Sequence, residues 1–298
     1  MDLMKFNIHY FQRSPGDKHM KLCTYVNYCF FSFIAFYSSL SFSGVCADGK
    51  DADGLKRAGE KGFCMAIETF SPKSVKEKTP LIVVLHGDNR GQMSGSSYQA
   101  LATSLGNTFD SPSIFMLRPG YKSDKGKSDG YAKYEDDDYT SQNMEYLSFA
   151  LNHLRSTYLG RALILVGHSG GAASAAILAA KYPKLVDAAI LAGCPCDITP
   201  WRDWRNQSAG KRGSWSSLSP LDFVKQTNKD AFVIAVTGDK DTNTLPKFAE
   251  VYIQGLISNG IENASFILAK DATHQTVRTS PELSNAVRSA IEYLGKAK

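Results

Sequence analysis

The sequence predicts one α/β domain in which helices cover both faces of a mainly parallel, doubly wound sheet. Short apolar runs alternate with longer amphipathic stretches, and the runs are apolar on both faces rather than alternating in polarity. Repetition of strand, helix and strand is typical of such sheets, whose crossovers are right-handed. The 298 residues, 43% hydrophobic and 21% charged, suffice for one large domain of ordinary globular composition.

The strands are predicted from runs rich in Val, Ile and Leu. Six are expected at the centre of the sheet: LIVVLH (81–86), SIFMLR (113–118), ALILVG (162–167), DAAILAG (187–193), AFVIAVTG (231–238) and ASFILA (264–269). A seventh, FCMAIETF (63–70), is expected at an edge.

Helices are predicted between these strands from helical spacing and capping signals. They are SSYQALATSLG from Ser96, TSQNMEYLSFALNHLRSTY with a Thr or Ser cap, GAASAAILAAKY before Pro183, TLPKFAEVYIQGLISNG ending in Asn-Gly, and SPELSNAVRSAIEYLGK.

Residues 1–47 are predicted to be a secretory leader, with Met20 a candidate for the true start. No charged residue occurs from Leu22 to Ala47, and the stretch runs from an apolar middle to small residues at its end. Cleavage after Ala47 would leave a single domain at 48–298, secreted or periplasmic and without stable membrane association. The alternative is a membrane anchor formed by residues 22–47.

Composition argues against several classes of protein. The net charge of +5 is mild and no long Lys/Arg run accompanies it, so nucleic acid is not an expected partner. Three of the six cysteines follow the leader, Cys64, Cys194 and Cys196, too few for a disulfide framework. Cys194-Pro-Cys196 either closes a small ring or keeps buried thiols. No Cys-x-x-Cys or His-x-x-x-His spacing occurs, so no metal or other cofactor is expected.

The stretch LILVGHSGGAA (163–173) predicts a nucleophilic serine. Ser169 lies between a strand and a helix, with Gly167 two residues before it and Gly171 two residues after. A sharp strand-to-helix turn tolerates only very small flanking residues and holds the serine near the helix N-terminus, where developing negative charge is stabilised. The alternative interpretation is a tight turn with serine chosen for its size.

A serine hydroxyl needs a general base and an acid to orient that base. In the order that accompanies this turn, serine, acid and then histidine, His274 is the remaining histidine after Ser169. It falls in a predicted loop between the last strand and the last helix. The acid should follow a strand between the two, and TGDKDT places Asp241 there, with Asp239 as the alternative.

An acyl-transfer site also needs donors for an oxyanion. The strand at 81–86 ends in His-Gly, so the chain must turn tightly beside Ser169. The backbone N–H groups of Asp88 and Gly170 are therefore the predicted donors. His86 is expected to hold this loop rather than to react.

In these motifs and their order, the chain resembles the α/β-hydrolase superfamily over residues 60–298. VGHSGG, GDKDTNT and YIQGLISNG also resemble small secreted esterases and the catalytic domains of prolyl oligopeptidase-type peptidases. The resemblance implies a mainly parallel eight-stranded sheet and a serine acyl-enzyme mechanism. Ala172 replaces a glycine usual in those peptidases, and their propeller domain is absent, which favours an esterase.

The insertion at 195–228 lies where members of the family often carry a cap over the active site. It is expected to be irregular and cap-like. Its tryptophans either wall a substrate pocket, with Tyr121 from another loop, or anchor the insertion on the core; they are Trp201, Trp204 and Trp215.

The sequence therefore predicts a secreted serine hydrolase that cleaves a small carboxylic ester. Ser169 would attack, His274 would act as base and then acid, and Asp241 would orient it. An exopeptidase or oligopeptidase acting on short peptides through the same residues is one alternative. A non-catalytic binding module on a hydrolase scaffold is another, disfavoured because such a module has no need of all three residues.

Overall fold

A computed structural model describes residues 46, 56–75, 78–89, 96–124, 126–132, 138–208 and 216–296 of the protein. The predicted leader lies outside these residues apart from Cys46. Among the helices in the described ranges, none is long and apolar enough to cross a membrane.

Eight strands form one sheet in the order β1-β2-β4-β3-β5-β6-β7-β8. β2 runs antiparallel to both of its neighbours, and every pairing from β4 to β8 is parallel. The strands are β1 (Lys56–Glu60), β2 (Phe63–Phe70), β3 (Leu81–Leu85), β4 (Ser113–Met116), β5 (Leu163–His168), β6 (Ala188–Ala192), β7 (Phe232–Gly238) and β8 (Ala264–Ala269). A short hairpin pairs Lys122–Ser123 with Gly126–Lys127. The predicted doubly wound, mainly parallel eight-stranded sheet is confirmed.

Helices pack on both faces of this sheet. They are α1 (Ser96–Phe109), α2 (Ser141–Thr157), α3 (Gly170–Lys181), α4 (Ile198–Ser208), α5 (Pro246–Ser258) and α6 (Pro281–Lys296). α1 and α6 bury their apolar residues in one core, and α2, α3 and α5 bury theirs in the other. Thr140 caps α2 as expected, since its hydroxyl accepts the backbone N–H of Asn143 at 3.1 Å.

The central strands are apolar on both faces because each supplies both cores. Val83 and Leu165 point into the core with α2 and α3, whereas Val84 and Val166 point into the core with α1 and α6. Every residue of β3, β5 and β6 is buried. Continuous apolar runs, without alternation in polarity, are what a strand covered on both faces requires.

The regular structure differs from the sequence-based expectations in three respects. β2, which was expected at an edge, lies between β1 and β4 because β1 adds a further strand outside it. β1 was not predicted, because its sequence KRAGE carries no apolar run; it forms by pairing with β2, which buries Ala58 opposite Met65. The insertion at 195–228 was expected to be irregular, but its described residues contain α4 and a 3₁₀ turn at Pro220–Gln226. Packing of Ile198 and Trp201 in the core stabilises that helix.

Among the described residues there are two disulfides, one between Cys46 and Cys64 and one between Cys194 and Cys196. Of the two alternatives for Cys194-Pro-Cys196, the small ring is therefore the one observed. The Cys46–Cys64 bond joins a residue of the predicted leader to β2, so cleavage after Ala47 would leave Cys64 without this partner.

Candidate active site

The loops that carry the predicted site residues leave the sheet at one edge. β3, β5, β6, β7 and β8 are consecutive parallel neighbours, so their carboxyl ends lie side by side. Residues 86–88 follow β3, Ser169 follows β5, residues 239–244 follow β7 and His274 follows β8. The topology therefore brings together side chains that are far apart in the sequence.

Ser169 occupies a sharp turn between β5 and α3. Its φ of 53° lies in the left-handed region, which a side chain rarely adopts, and α3 begins at the next residue. A Cβ on Gly167 would lie 2.3 Å from the Gly171 carbonyl oxygen, and one on Gly171 would lie 2.4 Å from that of Leu85. Both flanking positions must therefore be glycine. Among the described residues, the hydroxyl of Ser169 has no hydrogen-bond partner, and the serine is 6% exposed.

Asp241 is hydrogen-bonded to His274. Its Oδ2 lies 2.8 Å from Nδ1 of the imidazole, and its Oδ1 accepts the backbone N–H groups of Asn243 and Thr244, each at 2.8 Å. The Thr244 hydroxyl also donates to Oδ2. Burial opposes ionisation, but the hydrogen bond and charge of His274 and the two N–H donors outweigh it, so the pKa of Asp241 lies below its ordinary value. Asp241 is thus an ionised, fixed acceptor for the imidazole N–H.

Gly193, the residue after β6, lies directly beside the Asp241–His274 pair. It has a φ of 53°, and a Cβ there would lie 3.1 Å from Nδ1 of His274 and 3.3 Å from Oδ2 of Asp241. Its carbonyl oxygen lies 3.0 Å from the Thr244 hydroxyl oxygen, whose one proton goes to the nearer Oδ2 of Asp241. Sequence reasoning missed both Gly193 and Thr244; the available signal was the glycine that ends the predicted strand at 187–193.

His86 holds the loop after β3, as predicted. Its Nε2 accepts the backbone N–H of Arg118 at 2.9 Å, so Nδ1 carries the proton and donates to the Gly87 carbonyl at 2.7 Å. Burial, with the nearby Arg118 charge, lowers the pKa of His86 to about 3. The ring is therefore neutral at physiological pH, and its two hydrogen bonds fix the conformation of the loop.

Asp88 offers a backbone N–H at the end of this loop. Within the described ranges neither this N–H nor that of Gly170 has a hydrogen-bond partner, which leaves both available for an oxyanion. The carboxylate of Asp88 pairs with Arg118 at 2.8 Å and accepts the hydroxyl of Tyr139. Burial disfavours the charged carboxylate, but Arg118 and these hydrogen bonds prevail, and the pKa of Asp88 lies below its ordinary value.

The carboxylate of Asp88 also lies against Gly170. A Cβ on that glycine would come within 2.0 Å of Asp88 Oδ1 and 2.6 Å of the Tyr139 hydroxyl. The two residues that carry the predicted oxyanion donors, Asp88 and Gly170, are therefore in direct contact. Sequence reasoning assigned a role only to the backbone of Asp88 and missed Arg118 and Tyr139.

Of the predicted pocket residues, Trp201 and Tyr121 are fully buried and do not line an open cleft. Trp201 has no exposed surface and donates its Nε1–H to the Asn243 carbonyl at 2.9 Å, so it supports the loop that holds Asp241. Trp204 is half-buried against Phe248. Tyr121 is fully buried, its ring on His86 and its hydroxyl donating to Asp138. For Trp201, anchoring of the insertion on the core is therefore the alternative observed; Tyr121 has no surface to offer a pocket, and Trp215 lies outside the described residues.

No protein-family model matches the sequence, and the comparison with curated proteins finds no significant match. Solved structures are similar. The Pyrococcus furiosus esterase Pf2001 aligns with a TM-score of 0.59 at 14% identity, over 85% of this chain and 97% of that one. Proline iminopeptidase from Mycobacterium smegmatis aligns with a TM-score of 0.60 at 14% identity, over 82% of this chain and 100% of that one. A puromycin hydrolase aligns with a TM-score of 0.61 at 13% identity, over 81% of this chain and 39% of that one.

These similarities, together with the strand order and the serine turn, define the architecture. The chain has the α/β-hydrolase fold, as its motifs predicted. The neighbours include both an esterase and peptidases, so the fold is common to more than one chemistry.

Proposed function

We propose that this protein is a serine hydrolase that cleaves a small carboxylic ester through an acyl-enzyme. The observation that carries the proposal is the 2.8 Å hydrogen bond between buried Asp241 and His274, on loops at the same sheet edge as Ser169. A nucleophile on a strained turn, a base and an ionised carboxylate that orients the base are the three parts that acyl transfer requires.

In the proposed mechanism, Ser169 Oγ attacks the acyl carbon while Nε2 of His274 takes the hydroxyl proton. Asp241 accepts the Nδ1–H, keeps the imidazole in the correct tautomer and stabilises the imidazolium. The oxyanion accepts the N–H groups of Gly170 and Asp88. The imidazolium then protonates the departing alcohol. Water, deprotonated by His274, hydrolyses the acyl-enzyme and restores the serine.

The Asp88–Arg118 pair has an electrostatic consequence for this mechanism. An isolated carboxylate beside the oxyanion would repel the developing negative charge. Arg118 lies 2.8 Å from that carboxylate and is itself buried, so the pair is close to neutral where the oxyanion forms. Burial opposes a charged guanidinium, but nearby Tyr121 and Asp88 raise the pKa of Arg118 above its ordinary value, which keeps it charged.

A non-catalytic binding module is the less favoured alternative. Burying an ionised carboxylate costs free energy unless it is paired and hydrogen-bonded, and four donors are arranged around Asp241 for that purpose. A module that only binds would gain nothing from this arrangement. A peptidase would use the same residues, so the test includes both substrate classes.

We further propose that the protein is exported. The two disulfides support this, because such bonds persist mainly in oxidising compartments. The uncharged stretch from Leu22 to Ala47 supports it independently.

The proposal is tested by stopped-flow kinetics with p-nitrophenyl esters of two to eight carbons and with aminoacyl p-nitroanilides. We expect ester turnover with an initial burst of about one p-nitrophenol per protein, the signature of an accumulating acyl-enzyme. Ser169→Ala should lose both burst and turnover while its circular dichroism spectrum stays unchanged. Anilide hydrolysis without ester preference would favour the peptidase, and no turnover of either class would overturn the proposal.

A further inference from the structure

His168 precedes the proposed nucleophile and contacts the proposed base. It is 2% exposed, and its ring centroid lies 4.7 Å from that of His274. Its two ring nitrogens each have a partner: Nδ1 lies 2.8 Å from the Tyr98 hydroxyl and Nε2 lies 2.7 Å from the His274 carbonyl oxygen. Nothing in the proposed mechanism accounts for these contacts.

The chemistry of the partners fixes the direction of every hydrogen bond in this group. A carbonyl oxygen only accepts, so Nε2 of His168 must carry the proton and donate to His274. In a neutral imidazole Nδ1 then accepts, and the Tyr98 hydroxyl donates to it. The Tyr98 oxygen in turn accepts the backbone N–H of Gly87 at 3.1 Å. One chain of hydrogen bonds thus runs from Gly87 through Tyr98 and His168 to His274.

His168 and Tyr98 both have the protonation state that this series of hydrogen bonds requires. Burial and the neighbouring His274 lower the pKa of His168 well below its ordinary value, so the ring is neutral. Burial raises the pKa of Tyr98, so its hydroxyl keeps the proton. Each hydrogen bond in the series from Gly87 to His274 therefore has one donor and one acceptor.

A second contact ties the same elements together from outside. The guanidinium of Arg278 lies 4.7 Å from the ring centroid of Tyr98 and donates to Ser97 Oγ at 2.9 Å. It also donates to the Gln275 carbonyl, next to His274. The first turn of α1 and the loop that carries His274 are thus joined twice.

We propose that Tyr98 and His168 are positioning residues. They couple the loop after β3 (residues 86–88), which carries the Asp88 oxyanion donor, to the general base His274. Gly87 immediately precedes the Asp88 donor, and His274 is the base itself, so the chain of hydrogen bonds spans the two groups that must act together in the transition state. The inference rests on the proposed function and adds to it which residues fix the relative position of the base and the oxyanion donor. Its effect should fall on transition-state stabilisation rather than on substrate binding.

The test compares Tyr98→Phe with Tyr293→Phe, each of which removes one hydroxyl that accepts from a nitrogen and donates onward. Tyr293 accepts from Asn263 at 3.2 Å and donates to the Asp230 carbonyl at 3.3 Å, on α6 and away from the site. Measurements are kcat and KM for the best ester, the inhibition constant of a matching trifluoromethyl ketone, and the melting temperature. The ketone forms a hemiketal with Ser169 and so mimics the transition state.

Tyr98→Phe should lower kcat by about 10- to 100-fold, because it leaves Nδ1 of His168 and the Gly87 N–H unpaired. KM should stay within about twofold, and the ketone should bind more weakly by the factor lost from kcat/KM. Tyr293→Phe should change none of the kinetic constants, although it also loses two hydrogen bonds.

A second variant, His168→Gln, guards against an effect of local packing at Tyr98. It should lower kcat, and adding Tyr98→Phe to it should lower kcat little further, because both changes break the same chain. Kinetic constants for Tyr98→Phe that match those of Tyr293→Phe would overturn the inference and leave the Ser169 assignment intact. A wild-type protein that hydrolyses no ester and does not bind the ketone would overturn the proposed function and this inference together.

Discussion

Nδ1 of His274 lies 2.8 Å from Oδ2 of Asp241, whereas the side chain of Asp239, two residues earlier, is exposed. The turn after β7 explains the difference. Asp239 N–H continues the sheet pairing to the Ala269 carbonyl, and Asp241 N–H closes the turn on the Gly238 carbonyl. The third residue after Gly238 is therefore the one whose carboxylate reaches the loop of His274.

We predict that Asp241→Asn lowers kcat by about 10⁴, because an asparagine of the same shape stabilises the wrong imidazole tautomer. Asp239→Asn is the matched control and should leave kcat within about twofold. Initial rates at pH 8 decide between them, with thermal unfolding alongside to exclude misfolding. Loss of activity in Asp239→Asn instead would mean that the turn differs from the one described.

We predict that Gly170→Ala lowers kcat by about 10²–10³, the cost of losing an oxyanion donor. The new Cβ would come within 2.0 Å of Asp88 Oδ1, so the two residues that carry the predicted donors must move apart. Gly295→Ala is the control, since a Cβ there meets nothing within 4 Å. Equal activity in both variants would remove Gly170 and Asp88 from the mechanism.

Stability should fall as the pH falls from about 6.5, because two buried histidines are neutral in the folded state. The pKa of His86 is lowered to about 3 and that of His168 is also lowered by burial, so below pH 6.5 the unfolded chain binds more protons than the folded one. Each histidine should remove about 1.4 kcal/mol of unfolding free energy per pH unit within its window. Their contribution is complete above pH 6.5.

His86→Gln checks this prediction, since the glutamine carbonyl can still accept the Arg118 N–H and does not titrate. Urea unfolding at pH 7.0, 5.5 and 4.5 should give a pH slope that is smaller by about 1.4 kcal/mol per unit than in the wild type. Asp241 and Asp88, whose pKa values lie below the ordinary value, lose their stabilisation only as the pH falls below the ordinary carboxyl range of about 4. A slope unaffected by His86→Gln would mean that His86 is charged or exposed.

The sequence was sufficient for those features that depend on local pattern and chain order. His274 is the last of six histidines and follows the last strand, and Asp241 follows a strong apolar run, so both could be proposed without a structure. The groups that surround them come from distant segments with no shared motif. Arg118 meets Asp88, and Tyr98 meets His168, only because of the strand order. β1 could not be predicted because pairing with β2, rather than apolar character, creates it.

The partner of Cys46 could not be predicted from local sequence either, and this residue was assigned to the leader because it stands among small residues. Its bond to Cys64 predicts that the exported protein retains Cys46 and begins at or before it. Intact-mass and N-terminal analysis of exported material should find two disulfides and no free thiol. A chain that begins at Asp48 and whose Cys64 reacts with iodoacetamide would contradict this prediction.

The central claim is that Ser169 is a nucleophile activated by His274 and Asp241. Its most direct test is labelling with a fluorophosphonate, followed by intact-mass spectrometry and peptide mapping. We predict one phosphonyl group per protein, on the peptide that contains Ser169, with labelling slowed by about 10⁴ in Asp241→Asn and absent in Ser169→Ala. An unlabelled wild-type protein, or a label on any other residue, would contradict the account.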